Sequence, residues 1–235
     1  MSFLALIPLL IALSWLGYKL NKKLLRSIPR FIALPGIGKI AIDLVLGFSA
    51  FFLAAHLTAF PLNSFIKASY LISALVLIWF ILDLRNLKNY IHEIKSSETN
   101  WYIIIYALVI GFLVGYKNLY IGDSAKFHFT LIGSLANNHI YPPITPFDFN
   151  QNLSGYHFGI IAISALFKII CGFTPFMASA LQLGLQAVLF IILIYSLFFI
   201  ISKSPMKSII GSLVFIHCFA ILQGTLVVSW MVSRS

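Results

Sequence analysis

Charge is what this chain has least of. Only 9% of its 235 residues are Asp, Glu, Lys or Arg, where a soluble domain carries about 25%. Acids are scarcer still, six against sixteen basic residues. Cysteine is nearly absent: Cys171 and Cys218 form no metal or redox motif, exclude a disulfide scaffold, and read as small apolar packing residues. No internal repeat and no low-complexity tract is visible. The hydrophobic share is 60%, 15% aromatic, which excludes a soluble enzyme and a disordered chain. A net charge of +10 would raise nucleic acid as a partner of a soluble protein. Here the basic residues stand between apolar blocks, so no nucleic-acid role is expected and topology is the better reading.

A helix that crosses a bilayer needs roughly 20 mostly apolar residues. Runs of that kind predict about seven spans, near 3–18, 40–60, 65–84, 101–116, 156–171, 175–201 and 209–231. The expected class is all-α, a polytopic transmembrane helix bundle. The whole of 1–235 reads as one integral-membrane domain. Residues 1–100 hold the N-terminal spans and their basic cytoplasmic connections. Residues 101–201 hold the spans that flank a long loop at 117–155, and 202–235 holds the last span. The first block reads as a retained anchor, since no basic residue precedes it and no small-residue cleavage site follows.

Nine basic residues set the orientation. Lys19, Lys22, Lys23, Arg26, Arg30 and Lys39 crowd the first connection, and Arg85, Lys88 and Lys95 the third. Placing both inside obeys the positive-inside rule. The N-terminus and the 117–155 loop are then extracytoplasmic, in a plasma membrane. The same count places the turn at 172–175 inside and the 202–208 loop outside, so that Lys203 and Lys207 go against the rule. Trp15, Trp79, Trp101 and Trp230 fall near span ends and read as interfacial anchors.

Polar chemistry is concentrated in the long loop, which holds two of the six acids and, with its borders, three of the six histidines and three of the nine prolines. After Gly122-Asp123 the pattern turns helical. At about 100° per residue, Asp123, Lys126, Thr130, Ser134 and Asn137 share an arc of about 80°. Phe127, Phe129, Leu131, Ile132, Leu135 and Ala136 cover much of the remainder, so an amphipathic helix on the outer membrane surface is expected. Tyr141-Pro142-Pro143 ends it, and 144–153 reads as an irregular strap.

Each polar residue has two readings. Asp123 is either the N-cap of the surface helix or a group facing a cleft, and these are compatible. Asp148 in its Pro- and Asn-rich setting reads as a turn former or a substrate contact. Lys126 reads as a snorkelling charge or a phosphate contact. His128 and His139 read as interfacial packing. His157, beside Tyr156 at the mouth of a span, faces either a cavity or a partner. Asp43 and Lys168 read as snorkelling or paired charges, and His56, His217, Gln182 and Gln186 as interhelical hydrogen-bonding groups. No metal-ligand spacing is visible, and a divalent metal is left open.

Together, Gly122-Asp123, the helical run 126–138, Tyr141-Pro142-Pro143 and Tyr156-His157-Phe158-Gly159 resemble the GT-C class of polytopic membrane glycosyltransferases, over roughly 101–200. The resemblance implies transfer of a sugar from a polyprenyl-phosphate carrier to an acceptor on the extracytoplasmic side. It implies Asp123 as the catalytic acid that activates the acceptor for inverting transfer. Lys126, His157, Tyr156 and Asp148 would then contact substrate, and membrane lipid and the polyprenyl-phosphate sugar would be the partners. The chain departs from the family pattern in three ways. Asp123 has Ser124 where a second acid often stands, about four spans precede the loop, and the spans are fewer than the family's ten or more. A truncated member is one expectation. A non-catalytic membrane subunit or remnant, and a transporter, are the alternatives.

Overall fold

The computed structural model describes residues 3–24, 34–95, 100–118, 123–137, 141, 144–145, 148–152 and 158–232. Apart from turns and one short strand pair, the described residues are helical. The helices are α1 (Phe3–Leu24), α2 (Gly36–Leu62), α3 (Phe65–Leu82), α4 (Leu87–Lys95), α5 (Trp101–Asn118), α6 (Asp123–Asn137), α7 (Phe158–Cys171), α8 (Pro175–Ser202) and α9 (Pro205–Val232). Three of them, α2, α3 and α8, are long and apolar enough to cross a membrane, and α5, α7 and α9 hold shorter apolar stretches.

Local chemistry sets several boundaries. Pro35, in extended geometry, precedes α2. Ser64 caps α3 by accepting from the Lys67 N–H, and Thr174 caps α8 by accepting from Met177, with Pro175 in the first helical position. Asn63 ends α2 in the left-handed region (φ 47), which asparagine tolerates better than most residues. Lys203 ends α8 in the same region.

Glycines bring two helix pairs into backbone contact. A Cβ on Gly17 of α1 would lie 1.6 Å from the Asp43 carbonyl oxygen of α2, and one on Gly47 would lie 1.8 Å from that of Leu13. Between α5 and α8, Gly111 faces Gly184 and Gly115 faces Ala180. Small residues permit such approach where apolar lipid gives no hydrophobic drive between helices. Both pairs run antiparallel, since the residue number rises along one helix as it falls along the other.

These contacts define two ends of the bundle. At the first, which we call the loop end, the α2–α3 turn lies beside Tyr141, Ile169 accepts from the Tyr70 hydroxyl near the start of α3, and Phe129 packs on Phe176 at the start of α8. The second, the basic end, holds Lys19, Asp83 and α4, and Gly38 there lies against Ser196 of α8. It follows that α5 rises towards the loop end and α8 descends from it, so the turn at 172–175 lies at the loop end. The expectation that this turn sits with the basic connections is overturned, and so is that for 202–208. Lys203 and Lys207 lie beyond Ser196 at the basic end. The physical reason is the α5–α8 glycine contact, which fixes their directions as opposite, so the chain between them makes no net crossing. Of the segment expected as a span at 156–171, the described part is α7, 14 residues or about 21 Å of helix, and residues 156–157 lie outside the described residues.

The core divides in two. The larger part gathers Leu13, Trp15, Phe51, Phe65, Leu131 and Phe167 from α1, α2, α3, α6 and α7. The smaller joins α2, α5 and α8 through Ile37, Ile103, Ile191 and Tyr195. Outward faces are apolar as well: Leu75 and Ile78 on α3 and Ile105 and Phe112 on α5 are all more than half exposed. Trp15 is a core residue with 0% exposure, edge-on to Trp79 at 4.8 Å, and not the interfacial anchor expected of it. Its large apolar ring is covered by Phe80 and by the Lys19 ammonium 5.5 Å above it. Trp79 and Trp101 are exposed, and the Trp230 side chain lies outside the described residues.

The basic end is knit by polar side chains. Lys19 and Asp83 form an ion pair that holds the Asp83 carboxyl below the usual carboxylate range. Buried Asn21 donates to Asp43 at 2.6 Å, and Ser14 pairs with the Tyr90 hydroxyl at 2.6 Å. Burial and the nearby Asp43 charge push the Tyr90 hydroxyl up. Asp43 is therefore a buried hydrogen-bonded carboxylate, 2% exposed, and does not snorkel.

Candidate functional site

Asp123 is the first residue of α6 and Lys126 follows one turn in. Asp148 begins β2 (Asp148–Asn152), which pairs antiparallel with β1 (Ile144–Thr145), with Thr145 opposite Asp148 and an irregular register between Ile144 and Thr145. A short ladder thus stands where an irregular strap was expected. Side chains of Asp123, Lys126, His128 and Asp148 lie outside the described residues, and His139, Tyr156 and His157 lie outside them altogether.

From Phe129 onward the two sides of α6 are distinct. Phe129, Leu131, Ile132, Leu135 and Ala136 are buried, while Thr130 and Asn137 are exposed. The apolar side packs on α3, α7 and α8, so in this stretch it covers protein. Phe129 meets Phe176 with ring centroids 3.9 Å apart. At the far end the Lys168 ammonium donates to Asn137 Oδ1 at 2.9 Å, tying the last turn of α6 to α7. Of the two readings given for Lys168, snorkelling or pairing, the structure has the second, with a neutral amide as partner at the loop end.

The connection after α6 is clamped at Tyr141. Its backbone N–H donates to Asn63 Oδ1 at 2.9 Å, and its hydroxyl pairs with His56 Nδ1 of α2. Around its ring stand His56 and Phe60 edge-on and Phe65 stacked at 6.1 Å. Tyr141 is 4% exposed, and burial pushes its hydroxyl up to about 12. Three aromatic faces and two hydrogen bonds fix the chain immediately before Pro142-Pro143. The clamp is what the sequence reading missed. His56 and Tyr141 are 85 positions apart, and the only local sign was an aromatic residue ahead of two prolines. His217, by contrast, is exposed and bonds back to Leu213 of its own helix rather than to a neighbour.

Two cavities border this end. An apolar one of about 410 Å³ follows the α5–α8 glycine contact beneath Tyr116 and Phe173. Another, of about 300 Å³, lies between α2, α7 and α8 and includes Ser49, Gln182 and Gln186. Among the described residues no group of three or more His, Cys, Asp or Glu could hold a metal ion. No family model matches the chain, and neither a curated protein nor a solved structure matches it.

Proposed function

We propose that this chain is an integral-membrane protein that works as a glycosyltransferase of GT-C type. It takes a sugar from a polyprenyl-phosphate carrier at the extracytoplasmic side. In this reading α1, α2, α3, α5, α8 and α9 cross the bilayer, and the chain between α5 and α8 starts and finishes at the loop end. The basic end faces the cytoplasm. Lys203 and Lys207 then join the other inside charges, which removes the conflict with the positive-inside rule. Outward apolar faces on α3 and α5 are the surfaces lipid would cover.

The observation that carries the reading is the assembly at the loop end. A helix beginning at Asp123 packs over the bundle, and the connection that follows it is clamped through Tyr141. Transfer from a lipid phosphate needs a carboxylate to take the acceptor proton and donors to hold the departing phosphate. Asp123 would serve as the base. The free N–H groups of the first turn of α6, with Lys126, would hold the phosphate. Asp148, Tyr156 and His157 would contact the acceptor. The apolar cavity between α5 and α8 would accommodate part of the carrier tail.

The test is Asp123→Asn in proteoliposomes supplied with a polyprenyl-phosphate sugar. Transfer is expected to fall by about 100-fold or more, the usual contribution of a positioned base. Wild-type transfer that survives the substitution unchanged removes Asp123 from that role. Wild-type protein that inserts and transfers no sugar removes the enzyme reading.

A further inference from the structure

The α2–α7–α8 cavity has a polarity that runs along the bundle axis. Gln182 stands at its loop-end side, Gln186 one turn further along α8, and Val45 and Leu189 at its deep end. Gln182 is 1% exposed, and its Oε1 accepts from Ser164 of α7. Its Nε2 has no partner among the described residues. A buried amide donor left unpaired has lost its hydration with no bond in return, so an occupant that accepts a hydrogen bond is favoured there. Ser49 does not serve it, because its hydroxyl donates to Val45 O at 2.9 Å within α2. Gln186 is exposed on the same wall.

Among the described residues no charged side chain lines the cavity, which favours a neutral occupant. Water alone fits poorly at the deep end, where Val45 and Leu189 offer none of the two to four polar partners a held water needs. The depth fits a lipid. The 28 residues of α8 span about 42 Å, against a hydrocarbon core of about 30 Å. Gln182 lies seven residues, about 10 Å, from the start of α8. With the helix centred, its amide sits just inside the hydrocarbon boundary, within reach of an acyl ester.

We propose that this cavity holds one acyl chain of a membrane glycerolipid, its ester carbonyl accepting from the Gln182 amide and its methylenes lying along Phe52, Leu185 and Leu189. The proposal rests on the reading that the bundle spans a membrane. It does not require the chain to be an enzyme.

The experiment places the full chain in nanodiscs of phosphatidylcholine bearing a diazirine on one acyl chain, and maps photolabelled peptides by mass spectrometry. Label is expected in 45–52 and 182–189. Replacing the ester lipid with its ether analogue, or Gln182→Leu, should lower that label about fivefold, what one neutral hydrogen bond contributes. Leu185→Trp leaves the Ser164–Gln182 pair intact, fills space along which the methylenes lie, and should lower the label twofold or more, which guards against a misfolded Gln182 variant. Equal labelling by ester and ether lipids overturns the proposal, as does labelling that neither substitution changes. Label at Ile105 and Phe112 of α5 reports insertion by itself. Its presence without label at the cavity overturns the lipid site alone, and its absence overturns the membrane reading beneath it.

Discussion

The two ends of the bundle are held by different physics. At the basic end the joints join one helix to another: the α1–α2 backbone contact at Gly17 and Gly47, the Lys19–Asp83 ion pair, and the buried Asn21–Asp43 and Ser14–Tyr90 pairs. At the loop end the central joint fastens a connection to the bundle, with Tyr141 held by Asn63, His56, Phe60 and Phe65. A joint between helices carries the fold. A clamp on a connection carries the position of whatever that connection presents. Damage at the first should therefore unfold the chain, and damage at the second should displace the loop and leave the helices standing.

The strongest way to break this contrast is Gly47→Leu. A side chain there meets the Leu13 carbonyl at a distance no Cβ tolerates, and α1 must leave α2. A loss of about 4 kcal/mol or more is expected, seen as failure to recover monodisperse protein in detergent. Folded Gly47→Leu protein with an unchanged melting temperature would refute the α1–α2 contact.

A smaller effect is expected at the clamp. Tyr141→Ala should cost about 3 kcal/mol locally, read as rapid protease cleavage in 138–157 while the helical circular dichroism persists. Tyr141→Phe should cost about 1 kcal/mol. The hydroxyl also gives the clamp a pH window. Its folded value is raised from 10.0 to about 12, so the native state holds the proton more tightly. The stabilisation is complete below pH 10 and is lost as pH rises towards 12. Protease resistance of the wild-type loop should fall across that window, and in Tyr141→Phe this decline should be absent.

The smallest effect belongs to Lys19→Ala. The Lys19–Asp83 pair is partly exposed, and its removal should cost about 0.5–1 kcal/mol, less in high salt. Because Lys19 holds Asp83 below its ordinary value, the pair stabilises above that value and the benefit fades as pH falls through the lowered one. Melting temperatures of the wild type and Lys19→Ala should converge in acid. A gap that persists there would assign the effect to packing on Trp15.

Much of the helical layout was legible. Long apolar runs gave the segments of α2, α3 and α8 within a few residues, because burying backbone polar groups inside a helix is a local requirement. The span expected from 175 begins where α8 does, and the structure supplies the reason: Thr174 caps it and Pro175 takes the first helical position. The candidate site was legible only as a stretch of chain. Asp123 and Lys126 fall at the start of a helix that periodicity pointed to, but the pattern of polar and apolar residues did not reveal that the apolar side from Phe129 onward would cover protein. Trp15 was misread for the same reason: hydropathy reports that a residue avoids water, and not whether lipid or protein replaces it.

By itself, the sequence determined that this chain is apolar helix after apolar helix, with its positive charge gathered in a few connections. Only the tertiary structure decided which end each connection occupies. That Lys203 and Lys207 lie with Lys19, and that 172–175 lies with Tyr141, follows from the glycine contact that turns α8 against α5. Counting spans adds one reversal per apolar run, and a stretch such as that between α5 and α8, which makes no net crossing, shifts every later assignment. Long-range packing, absent from any local window, corrects the count.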